Sequence, residues 1–361
     1  MKLITKEISE KEKDSWNEFL KKTESGHLFQ TFEWGVFKKT QGWKSRRIML
    51  IEPAIDKIKT EKIKVVLAIL EKKIPLTGFK FWYLPRGPVL DFQNRELVEQ
   101  VLDFLIDFAR KNKIMAVKIS PEVVLDGKTK WLPELLKNKG FKETDNYQLH
   151  KCTIRLNLRD DLDKIFSNLK KNTRWEVKRA EKDGVLVKRR DNEKDLRIVY
   201  RLYAEVMKKD RLSYSYFKNL WETFKNDILI LIAFYQNQPL SAVFIPFFNK
   251  KCWYLFGGST KKHPTCNSSQ LLQWEAIRLA KERGAELYDF QGIPCTEPKN
   301  SHDKGVLQFK EGFGGERKEL IGEFDYVFFP ILYGLLFKIL YPIFRKVNQA
   351  RIITKGIMGR V

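Results

Sequence analysis

Trp82-Tyr83-Leu84, within Phe79–Leu84 and followed by Pro85-Arg86-Gly87-Pro88, and Trp253-Tyr254-Leu255, within Lys251–Phe256 and followed by Gly257-Gly258, decide how this chain folds. Each is an aromatic run stopped by residues that interrupt regular structure, the mark of a buried strand leaving its sheet. They lie 171 positions apart. The ends of the strands that follow, Ile119-Ser120 and Phe290-Gln291, keep that offset, and Gly140-Phe141 and Gly312-Phe313 lie 172 apart. An offset held through strand, helix and strand predicts two copies of one unit of about 170 residues, a normal domain size. The alternative is a chance match between common aromatic strands.

Working outward, Leu3–Ile8 reads as a strand and Glu10–Lys22 as a helix, with Ser9 and Glu12 spaced as a capping box. Ser25-Gly26-His27 breaks the pattern before a short helix through Phe32, Trp34 and Phe37. Strands are predicted at Ser45–Glu52, Ile63–Lys72 and Ile114–Ile119. Leu97, Val101, Leu102, Leu105 and Phe108 recur at helical spacing, and Pro133–Asn138 reads as a short helix closed by Gly140. In the second copy, a helix over Asn267–Arg283 ends at Gly284. A strand at Glu286–Phe290, a helix at Val306–Glu311 and a strand at Glu319–Phe324 follow. The expected class is α/β (α+β), with mixed sheets flanked by helices. The expected division is residues 1–150, 151–325 and a tail over 326–361.

The chain has 361 residues and a net charge of +23, with 43% hydrophobic and 13% aromatic residues, which excludes a disordered basic tail. Cys152, Cys252, Cys266 and Cys295 are too scattered for a disulfide scaffold and fit no zinc spacing. With no secretory signal, they point to a reducing cytoplasm. The charge calls for a polyanion, whether nucleic acid, phosphorylated metabolite or anionic membrane, or else serves solubility. The most basic stretch runs from Leu169 to Arg190. There Lys171, Arg174 and Lys178 share one helical face, which either tracks phosphates or is simply solvated. Trp175, Val177 and Ala180 give that helix a weak apolar face. The uncharged run of the tail, Val327–Phe337, is shorter than the ~20 residues of a spanning helix. Pro330 can open a helix and Pro342 end it, while Lys338, Arg345 and Lys346 can snorkel. The tail therefore packs on the first domain or docks on a membrane surface.

Several chemistries lack their residues. There is no phosphate-binding glycine loop, no nucleophile elbow, and no metal-ligand spacing among His27, His150, His263 and His302, so no metal or cofactor is expected. What remains is cations set among aromatics and glycines. Lys38 follows Trp34 by one helical turn within Gln30–Lys38, suiting a phosphate beside a ring, or a surface lysine beside a core tryptophan. Lys310 precedes Gly312-Phe313-Gly314-Gly315, where it can stabilise an oxyanion or merely close a helix. Arg211 lies near Tyr214 and Tyr216 in a segment that otherwise reads as an inter-helix turn.

In order along the chain, Gln30–Lys38, Pro85–Asp91, Ser120-Pro121-Glu122-Val123, Trp253–Gly258, Gln273–Ala276, Tyr288–Ile293, Phe309–Gly315 and Ile321–Phe324 resemble the FemABX family of non-ribosomal peptidyl (aminoacyl) transferases. The resemblance implies two tandem GNAT-like domains, with the C-terminal segment returning to the first and no long coiled-coil arm. It implies transfer of glycine, alanine or serine from aminoacyl-tRNA to the stem-peptide amine of lipid II or a UDP-linked muropeptide, building the interpeptide bridge. The setting it implies is cytoplasmic, with peripheral contact at the inner face of the membrane. It places Lys38, with Trp34, Arg211 and Tyr216, on the precursor, with Tyr254 and Phe256 in the same substrate site, and Lys310 at acyl transfer. Two departures matter. Ser120 stands where the family often has Asp, leaving any base role to Glu122, the substrate or water. Phe256 stands where some relatives have tyrosine, although Tyr254 shares its strand face. The rivals are an acetyl-CoA-dependent GNAT N-acyltransferase, whose pyrophosphate turn is missing before Glu96 and Gln270, and a non-enzymatic RNA- or membrane-binding protein.

Overall fold

The structure, a computed structural model, describes residues 3–53, 61–74, 77–144, 147–207, 212–298 and 300–335. Arg211, Lys338, Arg345 and Lys346 lie outside them. Sheet one is built from β1 (Ile4–Glu7), β2 (Lys44–Glu52), β3 (Lys62–Lys73), β4 (Lys80–Arg86), β5 (Ile114–Pro121) and β6 (Lys142–Glu143). Sheet two holds β7 (Cys152–Asn157), β8 (Leu186–Arg190), β9 (Ile228–Tyr235), β10 (Gln238–Phe248), β11 (Lys251–Trp253), β12 (Phe256–Ser259), β13 (Leu287–Ile293) and β14 (Glu316–Glu319). The last strand, β15 (Phe324–Val327), returns to sheet one between β5 and β6.

The two sheets repeat one plan. Sheet one runs β1-β2-β3-β4-β5-β15-β6, and sheet two, from its far edge, β8-β9-β10-β11-β13-β7-β14. In both, the fourth pair (β4·β5, β11·β13) is parallel and every other pair along these orders is antiparallel. The first aromatic run quoted above lies in β4, and Trp253 of the second ends the equivalent strand β11. A parallel neighbour needs a crossover, and that crossover is a helix in each sheet: α3 (Arg95–Lys111) in the first and α9 (Ser268–Glu282) in the second. On α3, Leu97, Val101, Leu102 and Leu105 are buried against sheet one.

The remaining helices are α1 (Lys13–Lys22), α2 (Phe32–Lys39), α4 (Trp131–Asn138), α5 (Leu162–Ser167), α6 (Lys171–Lys182), α7 (Glu193–Met207), α8 (Tyr214–Phe224), α10 (Ser301–Glu311) and α11 (Pro330–Tyr333). Ser9 and Glu12 do form the capping box, in the 3-10 turn leading into α1. Among the described residues the longest helix is α3, with 17 residues, and no helix is long and apolar enough to cross a membrane. Of the tail, Phe329 packs on Phe79 with ring centroids 4.6 Å apart, and the Tyr333 hydroxyl donates to Asp325 at 2.9 Å.

Four readings are corrected. Glu319–Phe324 is not one strand: β14 ends in sheet two, Leu320–Glu323 cross over with Gly322 at φ 97°, and β15 begins in sheet one, so the boundary drawn after residue 325 falls inside β15. Lys251–Phe256 is interrupted after Trp253, and β12 goes on with β10 alone, leaving β13. The cysteines are not all free, since Cys152 and Cys295 form a disulfide that ties the start of β7 to the segment after β13. Trp175 does not join the apolar face of α6: Thr173, Val177 and Ala180 are buried while Trp175 is 61% exposed.

The sheets meet through an apolar layer and a charged clamp. Phe29, Trp34 and Phe37 from the first unit pack with Leu202, Phe217 and Phe244 from the second. Glu122, just past β5, lies 3.2 Å from Arg86 at the end of β4 and pairs with Arg155 on β7. Arg155 also reaches Asp289 on β13 at 3.0 Å. The two guanidiniums overcome burial and hold the Glu122 carboxyl far below the usual carboxylate range.

Removing one partner of a buried ion pair leaves the other uncompensated. Glu122→Ala should therefore cost about 3–5 kcal/mol in a urea titration. A depressed folded-state pKa gives stability that is present at neutral pH and lost as pH falls below the ordinary carboxylate range. Glu122→Gln should flatten that acid limb.

Candidate active site

Lys38 sits in the last turn of α2. Its ammonium lies 5.8–5.9 Å from the rings of Trp34, Phe37, Trp43 and Tyr216. Trp34 and Phe37 come from its own helix, Trp43 from the turn into β2, and Tyr216 from α8 of the second unit. Lys72 on β3 stands over the other side of this group, 5.0 Å from the Trp43 ring. Among the described residues no carboxylate pairs with Lys38. Burial, with Lys72 adding repulsion, lowers its pKa to about 8. Two neighbouring cations on an aromatic floor, with no acid between them among the described residues, make a candidate anion site.

An aromatic wall leads from here to β12. The Tyr216 ring meets Phe37 edge-on at 4.9 Å and Phe256 at 6.3 Å. Phe256 is walled in by Tyr203, Phe217 and Phe244, so it is part of the wall's packing. Beyond it the strands splay. Tyr254 still donates its backbone N–H to Asp289, whereas Gly257 and Gly258 have left β13. A Cβ on Gly257 would stand 2.0 Å from the Tyr254 hydroxyl oxygen, so only glycine lets that phenol lie across the strand. Burial pushes the phenol up to about 12, so it stays protonated.

Lys310 enters this opening from α10. It is 8% exposed, and its ammonium donates to the carbonyls of Gly292 at 2.6 Å and Gln291 at 3.2 Å, with the Tyr254 ring 6.0 Å away. Those carbonyls are aimed by Asp289, which accepts from Arg155, from the Thr153 hydroxyl and, at 2.7 Å, from the Gln291 N–H. Gln291 has φ 58°. Burial lowers the Lys310 pKa to about 8. Two of its three N–H groups are occupied by neutral carbonyls, so one donor and the full charge remain. A cavity of about 440 Å³ opens at this ammonium, lined also by Tyr254, Gly257, Gly258, Ser241, Gln273 and Phe309. A second, of about 650 Å³, shares Gly305 and Phe309 with it and runs to Lys170, Lys171 and Thr173 at the start of α6.

The structure brings Lys38, Trp34 and Tyr216 into one group, and Tyr254 and Lys310 into another, with Phe256 in the wall between. Ser120 is 1% exposed within sheet one. Glu122 is corrected: clamped between Arg86 and Arg155, it is too weak a base to take a proton from an amine. Of the predicted tRNA row, Lys171 lines the larger cavity and Lys178 is exposed over Phe166 at 5.7 Å. Arg174 instead turns back on the carbonyls of Ser167, at 2.6 Å, and Leu169, bracing the α5–α6 turn. Sequence reasoning missed Lys72, Trp43 and Gln273, whose roles arise from strand pairing and helix packing over long separations. It also missed the exposure of Trp175.

The FemAB family model matches residues 11–237 and 234–341. A lipid II:glycine glycyltransferase of Staphylococcus epidermidis is 27% identical over 393 residues, covering 89% of this chain and 92% of the relative. The crystal structure of FemX superposes with a TM-score of 0.79 at 23% identity, covering 92% of this chain and 99% of that one. A tandem GNAT protein from the clavulanic acid pathway superposes at 0.50 with 10% identity, covering 90% and 98%. The fold is thus two tandem GNAT-like domains.

A UDP-sugar, whose pyrophosphate does not titrate between pH 7 and 9, probes the Lys38 site. Lys38 loses its proton through about pH 8 in the free protein, so affinity should fall as pH rises across that window. In calorimetric titrations Lys38→Met should weaken binding about tenfold at pH 7, near 1.4 kcal/mol, and remove most of the pH dependence.

Proposed function

The chain belongs to the FemAB family, and on that premise we propose that it is an aminoacyltransferase extending the stem peptide of a peptidoglycan precursor. The donor is an aminoacyl-tRNA carrying glycine, alanine or serine, and the acceptor is lipid II or its soluble UDP-linked counterpart. The observation that carries the reading is Lys310: a buried ammonium anchored by two carbonyls, with one donor left, at the mouth of a cavity that fits an aminoacyl group.

The precursor's pyrophosphate lies on Lys38 and Lys72, and its peptide follows the Tyr216–Phe256 wall towards the splay. The aminoacyl ester enters the smaller cavity with its carbonyl oxygen on Lys310, and the 3′ end of the RNA crosses the larger one. The uncharged stem amine attacks the ester carbonyl, so that a C–N bond forms and negative charge gathers on the oxygen. Lys310 is aimed at that charge. The C–O bond to the ribose then breaks, and the proton lost by the amine passes, through water or the substrate, to the leaving oxygen. Glu122 and Asp289 do not take that proton, because both are committed to Arg155. Reaction at the inner face of the cell membrane is part of the proposal, since a lipid-linked acceptor resides there.

Mass spectrometry of the precursor after incubation with charged tRNA tests this. The expected product is heavier by one amino-acid residue, and no gain with any charged tRNA, or transfer from acetyl-CoA alone, would overturn the reading. Lys310→Met should lower kcat about 10²–10³-fold with little change in precursor KM. Trp175, exposed on α6, whose first turn lines the larger cavity, offers a ring to a terminal base of the RNA. Trp175→Ala should weaken RNA binding by about 1–3 kcal/mol in filter binding at fixed salt.

A further inference from the structure

Gln273 lies on α9, 1% exposed, on the wall of the 440 Å³ cavity. Its Nε2 donates to the hydroxyl oxygen of Tyr288, a fully buried ring on β13. Its Oε1 is buried and has no hydrogen-bond partner. An unpaired buried acceptor forfeits about 1–3 kcal/mol, and folded proteins contain few of them. The bond to Tyr288 uses the amide nitrogen and leaves the oxygen without a structural partner. Among the described residues the other buried side-chain oxygens without a hydrogen bond belong to Ser45, Glu122 and Asp325. None of these lines the cavity, and no carboxylate does.

We propose that Gln273 is a substrate-contacting residue that reads the donor: its free amide oxygen accepts a hydrogen bond from the α-amino group of the aminoacyl ester whose carbonyl is held by Lys310. The inference rests on the aminoacyl-tRNA reading above. On the cavity wall, among the hydroxyls of Tyr254, Ser241, Ser259, Ser269 and Ser301, the Lys310 ammonium keeps one donor free, and Gln273 Oε1 is the buried side-chain oxygen left without a partner. An aminoacyl ester matches them, because its carbonyl oxygen only accepts and its α-amino group is the donor common to every amino acid. An acyl group without an amine would leave the Gln273 oxygen unpaired, and sites built to bond a polar group discriminate strongly against analogues lacking it. The cavity thus selects aminoacyl over simple acyl donors.

The test uses short RNA hairpins ending in the tRNA 3′ sequence, with glycyl or acetyl joined to the terminal ribose by an unreactive amide. Calorimetry of the full-length protein should show the glycyl hairpin binding at least tenfold more tightly. Gln273→Met should bring the two affinities within about twofold, with a circular-dichroism melt reporting that the variant is folded. Gln273→Glu, which keeps an acceptor oxygen, should retain the glycyl preference. A wild-type ratio near one overturns the proposal whatever the variants do. So does an undiminished ratio in Gln273→Met, which would assign the oxygen to water or to the ribose hydroxyl. Failure of the wild type to bind either hairpin overturns the tRNA-donor reading itself, and is distinct from a ratio of one.

Discussion

The buried carboxylate of Glu122, held between Arg86 and Arg155, is the contact on which the rest depends. Arg86 and Glu122 leave neighbouring parallel strands of sheet one at the same end, and Arg155 and Asp289 face each other on paired strands of sheet two. Four charges alternate in sign across the boundary between the units, and the central contact, Glu122 with Arg155, forms only when both sheets are in place. Paired interior charges of this kind are costly to desolvate and add little net stability. Their effect here is on register: the apolar layer from Phe29 to Phe244 tolerates sliding, and a bonded Arg–Glu–Arg group does not.

That register reaches the site. Arg155 fixes Asp289, Asp289 accepts the Gln291 N–H, and the Gln291 and Gly292 carbonyls hold the Lys310 ammonium. The position of the lysine is thus set by a hydrogen-bonded path that begins in the other unit. The Cys152–Cys295 bond closes the same segment from behind. On the opposite wall, α2 of the first unit and α8 of the second bring Lys38 and Tyr216 together. Neither domain alone contains both ends of the site.

The repeat was legible in the sequence because its signal is local. Trp82-Tyr83-Leu84 lies on a buried strand and Trp253 closes its counterpart, and burial dictates residue type. The strand exchange was not legible: β15 replaces in sheet one what β7 supplies in sheet two, and no periodicity in Glu319–Phe324 tells which sheet a residue joins. Lys38 and Lys310 stand out in sequence through their aromatic and glycine neighbours. Lys72 does not, because its place beside Trp43 follows from strand pairing 29 residues further along the chain. The resemblance left any base role open to Glu122, the substrate or water, and the sequence says nothing of the two guanidiniums that hold the Glu122 carboxylate.

The chain's buried lysines separate by what they touch. Lys118 lies 2.9 Å from Asp325 and 3.8 Å from Glu323, and its charge is spent inside the first unit. Lys38 has aromatic faces and a second lysine, and Lys310 has two peptide carbonyls. Rings and carbonyls orient an ammonium without cancelling it, which is why burial can lower both to about 8. Such a group is still mainly protonated at neutral pH but poorly solvated, so an arriving oxyanion gains nearly the whole interaction. Among the described residues no carboxylate bonds either ammonium. Asp289, which pulls the Lys310 pKa upward against burial, is itself paired with Arg155, so both lysines keep charge for a ligand.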